Sequence, residues 1–331
     1  MSCLPRLQKR LLAAAALVGS LSIACDGAST DPGPLTHPVG TSSGRLGIEG
    51  SPWSITVSSK GEAWVTLLDK NEIARFSTAN PTGLGSPFIF AVHPMHVAFN
   101  RIGTIALVGG WDPDRRVVYS VNAASGEATF AREMSGRPYR VALARDESRL
   151  FVLSYGDPAQ VYSYPLTGLI GAQGFVIQVP GIARAIAVSP TTGEVIVTTS
   201  ARVARLDPAT LETKAMIGPV SIVSQDVVIT PDGARLWMGS GAGSLVALDA
   251  TSLAQVAEIP LGTGIFGLAQ SPDATQLWAT TPTGELLVVD PVGASIVTRL
   301  TLGGIPNHIA FDPSGTTAFV ANEAGWVDVI R

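Results

Sequence analysis

The chain has 331 residues, of which 46% are hydrophobic and only 15% charged, with 35 Gly, 23 Pro and a formal charge of −4. So few charges among so many apolar residues exclude an intrinsically disordered chain. The acidic balance, with no basic run beyond residue 10, excludes the electrostatic footprint of a nucleic-acid binder.

At the N-terminus, Arg6, Lys9 and Arg10 precede an apolar run of 14 residues from Leu11 to Ala24. That run is shorter than the roughly 20 residues needed to span a bilayer. It has the layout of a secretory signal, assigned to residues 1–24. It closes on Leu21-Ser22-Ile23-Ala24-Cys25. This resembles the lipobox of bacterial lipoproteins, with Ser22 where that family usually has Leu. The resemblance implies that Cys25 is lipidated and becomes the first mature residue. Cysteine usage agrees, because Cys3 falls in the segment to be removed and no Cys follows Cys25. Such a domain has no internal disulfide. Removing residues 1–24 takes away three basic and no acidic residues, leaving 19 basic against 26 acidic, a net −7. No later apolar run is long enough to span a membrane. The chain is therefore expected to be exported and held by lipid alone, on the periplasmic or cell-surface side of a bacterial membrane.

Residues 25–43 follow, rich in Gly, Ser, Thr and Pro, a composition that reads as a flexible tether. From residue 44 to residue 331 the chain repeats. Its clearest units are SQDVVITPDGARLWMGSGAGSLVALDATSLAQVAEIPL, GLAQSPDATQLWATTPTGELLVVDPVGASIVTRLTL and NHIAFDPSGTTAFVANEAGWVDVIR. Each has an apolar strand, a turn such as TPDG, SPDA or DPSG, a second strand opening on a large apolar residue, a small polar loop, and a third strand. One position of the second strand sets the register: Trp64, Leu107, Phe151, Ile196, Trp237, Trp278 and Phe319, at intervals of 43, 44, 45, 41, 41 and 41 residues. A fixed place in every repeat implies a shared packing duty rather than a stacking platform for ligands.

Repeats of this length with several strands each predict an all-β, seven-bladed β-propeller of four-stranded antiparallel blades. Phe319-Val320-Ala321-Asn322 and Trp64-Val65-Thr66, with TPDG before such a strand and Leu-Asp-Ala-Thr after the next, resemble the YVTN-type propeller repeat over about residues 44–331. The resemblance implies architecture and leaves function open, since such repeats serve scaffolds, binding proteins and some enzymes. The last repeat stops at Arg331 one strand short, while Arg45–Glu49 precedes the first repeat without a partner of its own. That segment is expected to complete the last blade and close the ring, because an open ring would leave an exposed strand edge.

In a propeller the first strand of each blade lines the channel, and its leading end meets the face used for binding. The residues opening these strands are Trp53-Ser54, Met95-His96, Tyr139-Arg140, Arg184-Ala185, Gln225-Asp226, Phe266-Gly267 and Asn307-His308. Interior positions of packed blades seldom carry two His, two Arg and an Asp. The candidate binding residues are thus Trp53, His96, Tyr139, Arg140, Arg184, Gln225, Asp226, Phe266, Asn307 and His308. Arginine forks with aromatic neighbours suit an anionic or sugar-like ligand. A protein partner would suit them equally, and the loops Trp111–Arg116 and Tyr155–Asp157 would extend the same face.

Enzyme signatures are sparse. No H-E-x-x-H, Cys pair or G-x-S-x-G is present, so no catalytic residue, resident metal or cofactor is assigned. Gly262-Thr263-Gly264-Ile265-Phe266-Gly267 matches G-x-G-x-x-G. It opens no helix, so it reads as a turn rather than a phosphate cradle. His96, Asp226 and His308 leave one enzymatic alternative, a metal-assisted lactonase or lyase at the channel mouth. The leading expectation is a monomeric binding or scaffold module for a protein or small ligand at that mouth.

Overall fold

The computed structural model describes residues 36–166 and 174–331; Cys25 and the signal-type segment lie outside them. Among the described residues, 28 strands form seven four-stranded antiparallel sheets, and each sheet is one blade. Six blades take four consecutive strands. The seventh takes Pro306–Phe311, Ala318–Asn322 and Trp326–Ile330, and its outermost strand is Ser42–Gly47. The fold is a seven-bladed β-propeller closed by a strand from the other end of the chain. No described helix is long and apolar enough to cross a membrane.

The periodic position behaves as a packing column. Trp64, Leu107, Phe151, Ile196, Trp237, Trp278 and Phe319 are each at most 1% exposed. Each lies in the second strand of its blade, wedged toward the next sheet. Trp64 meets Phe88 and Phe99 edge-on at 5.0 and 4.9 Å, and Phe76 of blade one meets Phe319 of blade seven at 5.2 Å. Burying such a side chain stabilises the fold by about 1.5–3 kcal/mol.

Two residues after the column, a Thr hydroxyl joins neighbouring blades at blades one and six. Thr66 Oγ1 accepts the Ser54 amide at 3.1 Å and donates to the Met95 carbonyl of blade two at 3.4 Å. Thr280 Oγ1 accepts the Gly267 amide at 2.8 Å and donates to the Asn307 carbonyl of blade seven at 2.7 Å. The same contact explains Gly267, the last glycine of the G-x-G-x-x-G run. A Cβ there would collide with the Asn307 carbonyl, so that glycine serves a close approach of two blades.

The closing strand runs from Ser42↔Ile330 to Gly47↔Trp326. Thr41 and Arg331 extend it, exchanging backbone hydrogen bonds of 2.8 and 2.9 Å. Arg45 pairs with the buried Asp328 at 3.0 Å, lies 4.3 Å over the Trp326 ring, and donates to the Leu302 carbonyl. Leu46 and Ile48 enter an apolar cluster with Ile55, Phe76 and Phe319, sealing blade seven to blade one. The strand begins at Ser42 rather than Arg45, inside the stretch whose composition reads as tether. Backbone pairing at Ser42 and Gly44 needs no apolar side chain, so hydropathy carries no sign of it.

The preceding residues also dock. His37 Nδ1 lies 2.6 Å from Asp273, in the turn between the first two strands of blade six. Burial works against the Asp273 charge. Hydrogen bonds from His37, Ser271 and Thr275 more than offset it and pull the carboxyl down to about 2.

Candidate binding site at the channel mouth

The inner strands do not start as plain ladders. Register shifts fall between Pro52 and Ile55, Pro94 and His96, Pro138 and Arg140, Ala183 and Ala185, and Pro306 and Ile309. A bulge leaves residues unpaired and turns their side chains away from the regular alternation. The unpaired residues here include Trp53, Met95, Tyr139, Arg184, Asn307 and His308, which are members of the candidate set or their neighbours. In blades five and six the inner strand is short, Val228–Ile229 and Leu268–Gln270. Gln225-Asp226 and Phe266-Gly267 therefore precede the ladder instead of opening it. Their backbones pair with other partners: the Gln225 amide donates to the Phe266 carbonyl at 2.7 Å, and the Phe266 amide to the Thr280 carbonyl at 2.8 Å.

These residues meet across the channel. His308 Nδ1 lies 3.0 and 2.9 Å from the two Asp226 oxygens, and its Nε2 lies 2.8 Å from Arg140 Nη2. Arginine only donates, so Nε2 is the acceptor and Nδ1 carries the proton toward Asp226. The rest of the Arg140 guanidinium makes longer contacts of 3.4 Å to the Gln225 and Tyr139 carbonyls, and it lies 4.3 Å over the Tyr139 ring. The Tyr139 hydroxyl donates to Gln225 Oε1. The Leu268 amide donates to Asp226 at 3.0 Å. Blades three, five, six and seven are thereby tied through one buried network; Arg140 is 2% exposed and His308 4%.

The charge states follow from this geometry. Burial disfavours the His308 cation. Asp226 opposes that effect, Arg140 adds to it, and the imidazole pKa falls below its ordinary value. Burial also opposes the Asp226 anion, but His308, Arg140 and the Leu268 amide outweigh it and hold the carboxyl below the usual range. Burial raises the Tyr139 phenol, with Arg140 and Arg184 pulling the other way. His96 is pushed well below its ordinary value by burial, then by Arg140 and His308, and its Nδ1 accepts the Val141 amide at 3.4 Å.

This arrangement does not assemble the metal set considered for His96, Asp226 and His308. Both His308 nitrogens already have partners, and His96 Nδ1 faces a backbone amide. Among the described residues no group of three or more His, Cys, Asp and Glu side chains could hold a metal ion. The other candidates lie around the network. Arg184 donates through Nε to the Ile222 carbonyl at 3.3 Å, and Asn307 donates to Glu323 at 2.9 Å. Trp53 stands edge-on to Phe266 at 5.5 Å and to His308 at 5.9 Å.

Beyond the network the mouth is aromatic on one side. Trp53, Leu68 and Trp111 are partly buried against Met95 and Tyr139. Tyr155 meets Tyr139 at 5.4 Å and is 43% exposed, and Arg137 lies 4.8 Å over Trp111. Sequence reasoning missed Leu68 and Glu323, although a signal was present. Both stand four residues after the packing column, as do Trp111 and Tyr155. Blades one to three carry Leu, Trp and Tyr at that offset, whereas blades four to seven carry Ser, Gly, Pro and Glu.

Fold and site together define a seven-bladed β-propeller whose channel mouth is bridged by its own polar residues and fringed by aromatic ones. No protein-family model matches the sequence, and no curated protein does. Among solved structures the chain is similar to the β-propeller domain of Cps50 (Swd1) from Myceliophteria thermophila, with a TM-score of 0.72 over 88% of this chain and 98% of that one. Identity is 13%, so the likeness is one of fold alone.

Proposed function

We propose that this chain is a lipid-anchored, extracytoplasmic propeller of the YVTN-repeat type that works as a binding module, taking a protein partner on its channel mouth. One observation carries this reading: the ionisable residues of the mouth bond to one another, whereas its aromatic residues stay half-open. A site built for acid–base or metal chemistry would leave a nitrogen or carboxylate free to meet substrate. Here His308, Asp226 and Arg140 are mutually engaged. Trp, Tyr, Met and Arg around a partly desolvated patch match the composition of protein-interface cores. A bridged channel also favours a broad partner over a small ligand needing a deep, enclosed pocket.

The test uses the full lipidated chain and cross-linking in whole envelopes. Trp111→Ala with Tyr155→Ala is expected to reduce a cross-linked partner about tenfold. Val292→Ala, at a 91% exposed site on the opposite face, should leave it unchanged. Equal capture by the mouth variant would overturn the site. Independently, Cys25→Ser should move the protein out of the membrane fraction, and persistent membrane association would overturn the anchor.

A further inference from the structure

The Asp226–His308–Arg140 contacts do more than fill the channel. Asp226 belongs to blade five, His308 to blade seven and Arg140 to blade three, so the imidazole is the middle link of a bridge between distant blades. Each link depends on one tautomer. Neutral His308 donates from Nδ1 and accepts at Nε2, and only an unprotonated Nε2 can receive the Arg140 N–H.

We propose that the Asp226–His308–Arg140 bridge is a proton-operated clasp across the channel, closed while His308 is neutral and released when Nε2 takes a proton. Protonation places two donors and two positive charges against each other at what was a 2.8 Å hydrogen bond. The Asp226 contact would persist and strengthen, so the break falls on the Arg140 side. Every other group around the ring agrees with that outcome. Trp53 and Phe266 are uncharged, Gln225 is committed to Tyr139, and Asn307 on the same strand is committed to Glu323. The Arg140 cation opposes a second positive charge on His308, and the Asp226 carboxylate favours it. Released Arg140 has only its 3.4 Å carbonyl contacts to hold it beside Tyr139, so the clasp reaches the aromatic side of the mouth.

The sign of the pH effect follows. The folded-state pKa of His308 lies below its unfolded value, near 6.5, so the unfolded chain takes up the proton first. Stability from this group is complete above that pH and declines as pH falls through it, by up to about tenfold in the folded-to-unfolded ratio per pH unit. Asp226, with a lowered pKa, titrates at more acid pH and leaves the window from about 6.5 to 5 to the histidines.

The experiment compares denaturant unfolding of the wild-type chain and His308→Gln between pH 7.5 and 5, both keeping His96. Glutamine offers one donor and one acceptor on a planar end and does not titrate. The variant is expected to lose the His308 share of acid sensitivity, a difference approaching about tenfold per pH unit. Identical pH slopes would overturn the clasp. Should the variant not fold, nitrogen NMR of the wild-type protein decides. His308 protonated on Nδ1 alone at neutral pH, then gaining the Nε2 proton with a shift of the Arg140 side chain at acid pH, supports it. A cationic His308 at neutral pH, or an Arg140 side chain indifferent to its titration, refutes it.

Discussion

Single side chains here have duties that depend on which blade they face. Thr280 holds the Gly267 amide and the Asn307 carbonyl together with one hydroxyl. Thr280→Val keeps the shape and removes the hydroxyl, leaving two buried backbone groups short of a partner. The expected loss is about 2–4 kcal/mol, read from the shift in denaturant midpoint at unchanged slope. A loss below about 0.5 kcal/mol would show that water or relaxation replaces the bridge. The packing column was legible in the sequence because one position repeats one task seven times. The cross-channel network was not. Arg140, Asp226 and His308 each occur once and lie 82 to 168 residues apart. Alignment showed that they share a ring position. It could not show that they satisfy one another, because that depends on reach across the channel and on bulges that hydropathy does not encode.

At the level of strands, the closing segment shows how much is legible. An unfinished last repeat and an unpartnered leading segment pointed to the same latch, and Ser42–Gly47 forms it. Its apolar half, Leu46 and Ile48, was visible as alternation; its polar half pairs through backbone alone. Burial of those two side chains contributes about 3–6 kcal/mol. Deleting residues 42–48 should therefore lower the melting temperature by about 10 °C or more and expose the Trp326–Ile330 edge to self-association. Calorimetry with light scattering checks both. A truncated domain that melts like the intact one would mean that the latch contributes nothing to stability.

Taken whole, the molecule has two unlike faces, and the chain enters on one of them. Thr41 meets Arg331 where the third strand of blade seven ends, and His37 lies on a turn of blade six at that same side, away from the aromatic fringe. Fully extended, the eleven links from Cys25 to Thr36 reach about 40 Å. The strands alone separate the two faces by about 20–24 Å, before turns are added. A fringe pressed against the bilayer would therefore take up at least half of that reach. Because no Cys follows Cys25, a single reporter thiol can be placed at Asp232 or at Asp114 in protein carrying the proposed lipid. Quenching by headgroup-labelled vesicles is expected to be stronger at Asp232, and the reverse order would contradict this orientation. In the proposed orientation, the proposed docking side would look outward into the aqueous compartment, like a dish on a short mast, and meet what diffuses there instead of what is dissolved in its own leaflet.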